Sequence, residues 1–128
     1  MNRLNFVIAD ADEEYVESLI EYLISNYSEL FQVSSFTRQA CLVEFIQTTD
    51  AKVDILLIDP GMHSDSLPTE KVNALVFLSP GNISENFNGL NSINKYQHVD
   101  RLVSDIIRIF SEKHRENKCI KYGDRNTK

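Results

Sequence analysis

The sequence predicts an α/β domain built on a parallel five-stranded sheet, and two kinds of pattern predict it. Short apolar runs bounded by turn residues recur along the chain, at LNFVIA (residues 4–9), ILLI (55–58) and NALVFL (73–78). Continuous runs of that length read as strands buried on both faces. Stretches with a 3.6-residue apolar period lie between and after them, from Glu13 to about Tyr27 and from His98 to about Glu112. Strands alternating with helices imply crossover connections and a sheet covered on both sides.

Composition sets the outer bounds. A chain of 128 residues suits one domain with roughly two-thirds of its surface buried. Apolar residues make up 42% and charged residues 25%, ordinary globular values. No apolar run approaches the roughly 20 residues of a membrane span. The first residues lack the basic-then-apolar pattern of a secretory signal. Cys41 and Cys119 stand far apart without metal-type spacing, so a reduced, cytoplasmic setting is expected. A net charge of −6 argues against a general nucleic-acid binder. Residues 1–110 hold 7 Lys/Arg against 16 Asp/Glu, whereas residues 111–128 hold 6 against 3. The basic end reads as a solvated tail or linker, giving a domain over 1–112 and a tail over 113–128.

In chain order, the first strand ends at Asp10-Ala11-Asp12. Asp10 or Asp12 can cap the helix that follows, and Glu13 and Glu14 suit the positive end of its dipole. Its apolar stripe is Val16, Leu19, Ile20, Leu23, Ile24 and Tyr27. Residues 30–36 (LFQVSSF) are a weaker strand, consistent with an edge. Thr37 can cap a second helix to about Thr48, with Ala40, Val43 and Ile46 at helical spacing and Cys41 as core filler. The third strand, residues 53–58, runs straight into Asp59-Pro60-Gly61. Residues 60–72 have no helical period and read as a loop. The fourth strand stops at Ser79-Pro80-Gly81, and the Asn-rich stretch 82–90 offers at most a short, poor helix. Ser92-Ile93-Asn94 is a brief fifth strand that delivers Lys95-Tyr96-Gln97. The last helix then buries Val99, Leu102, Val103, Ile106, Ile107 and Phe110.

Five strands at this length fit the flavodoxin-like order 2-1-3-4-5 with right-handed crossovers. Asp10, Asp59, Ser79 and Lys95 then stand at the C-terminal ends of strands one, three, four and five, around the crevice where such sheets bind ligands. Two carboxylates, a hydroxyl and a lysine suit acyl-phosphate chemistry, in which an aspartate attacks phosphorus and cations neutralise the phosphoryl oxygens. Each residue also has a plainer role. Asp59 can cap a loop, Asp10 a helix, and Ser79 can open a turn. Lys95 has no local reason to end a short strand, and an ion pair with Asp59 is expected. His63, His98 and His114 share no ligand spacing.

With these residues in place, the chain resembles the CheY-like receiver domains of two-component response regulators over about residues 3–112. The resemblance rests on FVIADAD, ILLIDPGM, LVFLSP and the INKYQ stretch before the last helix. It implies Asp59 as phosphoacceptor, Asp10 as the first of an acidic pair that holds Mg²⁺ with Asp59, Ser79 as the switch hydroxyl and Lys95 as the family lysine. The second acidic position is Ala11, and Asp12 lies one step too late. Fewer charges weaken a hard-cation site, so the expected cofactor is none or weakly bound Mg²⁺. Asp59 and Ser79 are 20 positions apart, and Ser79 and Lys95 only 16, which shortens or removes the third and fourth helices. Tyr96 stands where receivers usually have proline.

These departures resemble the atypical receiver domains at the N-terminus of TadZ/CpaE-type pilus-assembly proteins, which precede a ParA/MinD-like ATPase. Lys95-Tyr96-Gln97 carries that likeness. The chain has no Gly-Lys-Ser/Thr phosphate loop of its own; its glycines are Gly61, Gly81, Gly89 and Gly123. The expected function is a non-catalytic interaction or localisation module in Flp-type pilus assembly, not an enzyme. It would dimerise or dock a protein partner through residues 82–112, with Tyr96, Arg101, Asp105 and Arg108 on that surface. The alternative is a working receiver phosphorylated on Asp59 by a histidine kinase. A flavin- or nucleotide-binding domain fits poorly, because Asp10 and Asp12 would repel a phosphate after the first strand.

Overall fold

The computed structural model describes residues 3–79 and 91–123, with side chains as far as Lys113. The elements are β1 (Leu4–Ala9), α1 (Glu13–Tyr27), β2 (Phe31–Phe36), α2 (Gln39–Thr48), β3 (Val53–Ile58), β4 (Val72–Ser79), β5 (Ser92–Asn94) and α3 (Val99–Gly123). Two single 3-10 turns, Pro60–Met62 and Thr69–Lys71, lie between β3 and β4. The strands form one parallel sheet in the order β2-β1-β3-β4-β5. This is the predicted flavodoxin-like arrangement.

Strand alternation divides the core in two. Phe6, Ile8, Ile55, Leu57, Val76, Leu78 and Ile93 face α1 and α3, packing on Leu19, Leu23, Leu102 and Ile106. Val7, Ala9, Leu56, Ile58 and Phe77 face the opposite way, onto Leu42 and Ile46 of α2. No helix joins β3 to β4. Met62 and Leu67 of the connecting loop cover that part of the sheet instead, 4% and 5% exposed. The segment predicted as a poor helix, 82–90, lies outside the described residues.

Several expectations need correction. Ile24 is 56% exposed, because the α1 stripe on the sheet is narrower than its apolar pattern: Val16, Leu19 and Leu23 are its buried residues. Helix α2 is rotated from the expected stripe. It buries Leu42 and Ile46 and leaves Ala40 and Cys41 exposed, so Cys41 is no core filler. Its N-cap is Arg38, not Thr37, and no side chain caps it. Helix α3 continues past Glu112 to Gly123. The polar stretch read as a tail therefore begins as helix.

Helix α2 also has no basic residue in its last turn. Lys71 supplies one from the second 3-10 turn: its Nζ donates to the carbonyls of Ile46, Gln47 and Thr49 at 3.0, 3.0 and 3.2 Å. A cation there satisfies orphan carbonyls and opposes the negative end of the helix dipole. Lys71→Met is expected to cost about 1–2 kcal/mol in urea unfolding. No measurable loss would mean water serves these carbonyls equally well.

Helices α1 and α3 are joined at the surface by Asp100, whose Oδ1 accepts from the Tyr22 and Tyr27 hydroxyls at 3.0 and 2.7 Å. The hydrogen bond to Asp100 is the main cause that pushes the Tyr27 phenol up to about 12. In Asp100→Ala it should titrate close to the ordinary 10.0, read by ultraviolet difference absorbance. An unchanged titration would place the cause elsewhere.

Candidate functional site

Register builds the site. Ala9 pairs with Ile58, Ile58 with Phe77, and Ser79 with Asn94. Asp10 and Asp59 therefore leave adjacent strands side by side, with Ser79 and Lys95 beyond them along the same rim. The Asp59 N–H donates to Ala9 O at 2.8 Å, and the Lys95 N–H to Ser79 O at 2.7 Å, so the ladder extends into the site. Among the described residues, the buried polar or charged side chains are Asp10, Ser79 and Lys95, 3%, 7% and 8% exposed. Burying such groups is costly without partners, so their concentration at one rim marks it as a built feature.

The expected Lys95–Asp59 ion pair is not the one formed. Lys95 Nζ meets Asp10 Oδ2 at 2.8 Å, with both side chains buried. That is the distance of a charge-assisted hydrogen bond, and no other hydrogen-bond donor among the described residues serves Oδ2. Asp10 Oδ1 accepts the Asp12 N–H at 2.9 Å. Two aromatic rings flank the ammonium, with the Tyr15 centroid at 4.7 Å and the Tyr96 centroid at 5.6 Å. The rings meet edge to face, 6.3 Å apart. The Tyr15 hydroxyl also donates to the Lys95 carbonyl at 3.2 Å. Burial pulls the Lys95 ammonium down, but the hydrogen bond and charge of Asp10 outweigh it, helped by Tyr96 and Asp59. The net shift is upward. Burial, then the Asp10 charge, holds the Tyr15 phenol far above its ordinary value.

Asp59 is half-buried at the end of β3. Its Oδ2 accepts the Gly61 N–H at 2.9 Å and so caps the first 3-10 turn. A Cβ on Gly61 would lie 3.0 Å from that oxygen, a tight contact that would push the Asp59 carboxylate back by a few tenths of an ångström. Lys95 turns to the more deeply buried Asp10, while Asp59 acts on Lys95 through its charge. Asp12 is exposed and caps α1, accepting the Tyr15 N–H at 3.2 Å.

The arrangement does not fit a divalent cation as it stands. Asp10 is engaged by Lys95, position 11 is alanine and Asp12 is a helix cap. Among the described residues, no three His, Cys, Asp or Glu side chains gather to hold a metal. Of the predicted surface residues, Tyr96 is 65% exposed, and Arg101 and Arg108 are also exposed. Asp105 is half-buried, accepts from Gln97 at 3.3 Å and lies 3.7 Å from Arg108, which reaches Glu112 at 3.9 Å. Sequence reasoning missed Tyr15. Its position, three residues after the capping Asp12, was the available signal: the first turn of α1 sits beside the strand ends.

A sequence profile described as "TadZ-like, receiver domain" matches residues 2–111. The chain belongs to the TadZ-like receiver-domain family. No curated protein sequence matches it. Among solved structures, the receiver domain of Francisella response regulator 1452 is 17% identical with a TM-score of 0.66, covering 86% of this chain and 98% of its own. A CheY-like receiver domain protein from Methanospirillum hungatei is also 17% identical with a TM-score of 0.66, covering 90% and 99%. The receiver domain of an HD domain-containing protein from Pseudomonas fluorescens is 12% identical with a TM-score of 0.62, covering 88% and 98%. At these identities the likeness is one of fold. Among the described residues of this TadZ-like domain, no helix is long and apolar enough to cross a membrane.

Proposed function

We propose that this TadZ-like receiver domain is a non-catalytic interaction module that works in the cytoplasm, docking a protein partner or a second copy during Flp-type pilus assembly. One observation carries the reading: the carboxylate that would share a cation with Asp59 is held by Lys95 at 2.8 Å, next to Ala11 where a second acid would stand. A pocket occupied by its own lysine has no evident step to catalyse, which leaves the surfaces to act. The face proposed for contact is that of α3 and the turn before it, with Tyr96, Arg101, Asp105 and Arg108. A downstream ParA/MinD-like ATPase is a further candidate partner.

Arg101→Glu/Arg108→Glu tests the surface. Among the described residues, the ion pairs of Arg108 are long and lie within its own helix, so reversal should cost little stability. Sedimentation velocity should show weaker self-association in the double variant. An unchanged profile would remove this face from the proposal.

A second reading is phosphoryl transfer from a histidine kinase to Asp59. It is favoured by Asp59 itself, which still ends β3 and acts on Lys95 through its charge. Amide NMR with beryllofluoride and Mg²⁺, in wild type and Asp59→Asn, separates the two. Shifts around Asp10, Asp59, Ser79 and Lys95 that vanish in Asp59→Asn would establish a live phosphoacceptor. No response at millimolar Mg²⁺ would leave the interaction module.

A further inference from the structure

We infer that Lys95 is the resident cation of this pocket: its ammonium stands in for a divalent metal, and the domain is thereby independent of Mg²⁺. The inference rests on the non-catalytic reading above and deepens it. A receiver pocket of this fold gathers carboxylates whose repulsion a bound cation relieves. Here Asp10 and Asp59 leave adjacent strands, yet the relief comes from within the chain. The ammonium is 2.8 Å from Asp10 Oδ2 and feels the Asp59 charge as well.

Four further contacts hold it there. The Tyr15 ring lies 4.7 Å from Nζ and the Tyr96 ring 5.6 Å, an arrangement in which the negative ring faces favour a cation. The Tyr15 hydroxyl fixes the Lys95 backbone by donating to its carbonyl. The Lys95 N–H is tied to Ser79 O at 2.7 Å. A lysine so clamped at both backbone and ammonium has little freedom to withdraw. A metal ion would have to displace it and leave a buried ammonium without its carboxylate, which is costly. Nor would a hard cation gain enough in return, because Ala11 offers no oxygen and Asp12 is turned to the helix.

The test is thermal and chemical unfolding with Mn²⁺, the metal alone, as probe. Wild type should show no shift in midpoint from added millimolar Mn²⁺. Lys95→Met frees Asp10 beside Asp59, so Mn²⁺ should bind it at least about tenfold more tightly than wild type and raise its midpoint by mass action. The gain should vanish in Lys95→Met/Asp10→Asn. A folded Lys95→Met that Mn²⁺ does not stabilise would overturn the inference, as would a saturable stabilisation of wild type. If Lys95→Met is too unstable to measure, wild type decides. Paramagnetic broadening by Mn²⁺ confined to Asp10 and Asp59 amides overturns the inference, and its absence upholds it. Mn²⁺ binding by wild type without any response to beryllofluoride would defeat this inference and leave the interaction module standing. A beryllofluoride response would defeat both.

Discussion

Lys95→Met should cost about 3–5 kcal/mol in urea unfolding at neutral pH, the cost of leaving one member of a buried ion pair alone. The expectation follows from geometry. Asp10 is 3% exposed, and its Oδ2 has the Lys95 ammonium at 2.8 Å. Methionine keeps much of the lysine stem volume, so lost packing adds little and the uncompensated carboxylate dominates. Set against a typical total of about 5–15 kcal/mol, this is a large share. Lys95→Met/Asp10→Asn should recover part of the loss, because removing both charges removes the orphan. A loss below about 1 kcal/mol would mean that water reaches the pair, and that it behaves like a surface salt bridge.

The same pair sets an alkaline limit. The folded-state pKa of Lys95 is raised, with Asp10 outweighing burial. Its contribution is fully present below the unfolded value of about 10.4 and is lost as pH rises through the higher folded value. Tyr15 is raised too, chiefly by burial, so the folded state also keeps that proton longer. Both groups make stability fall above about pH 10. Lys95→Met lacks the lysine share, so its stability should decline less steeply over that range.

The site was legible where it depended on strand ends, and illegible where it depended on side-chain choice. Asp10 and Ser79 are readable because each ends an apolar run, and Lys95 because it ends a short strand with no local reason to; all three are buried. The partner of Lys95 was not readable. Asp10 and Asp59 stand on adjacent strands, and which of them meets the ammonium is set by side-chain packing, with the Tyr15 ring beside Nζ. Strand order followed from the βαβ rhythm, but helix rotation did not. The α2 sequence offers apolar residues on more than half of its circumference, and only packing selects Leu42 over Cys41. The sequence pattern ends α3 near Glu112 because residues after Lys113 carry no continuous apolar stripe, whereas the helix runs on to Gly123 on good helix formers such as Glu, Lys and Arg.

The β3–β4 connection had no periodicity to read, and it gives the second large prediction. Leu67→Ala should cost about 2–5 kcal/mol, as much as a truncation in a central strand, although Leu67 lies in a loop. It is 5% exposed and packs in the cluster of Leu42, Ile46, Met62 and Phe77, on the sheet face that no helix covers between β3 and β4. The loop is not free to collapse into the cavity. Gln39 Nε2 donates to Met62 O and His63 O at 3.1 and 2.8 Å, and Gln47 Nε2 donates to Ser66 O at 3.2 Å. Lys71 ties its far end to α2. A cavity that cannot close keeps its full cost. Ile24→Ala is the control: a residue of equal size in a regular helix, but 56% exposed, so its change should stay within about 0.5 kcal/mol. If the two variants unfold alike, the loop is a surface strap, and the sheet face beneath it is covered by α2 alone. If they differ as expected, the domain has replaced a helix by a few anchored residues, and it has kept the sheet rim that positions Asp59 without the helix that usually follows it.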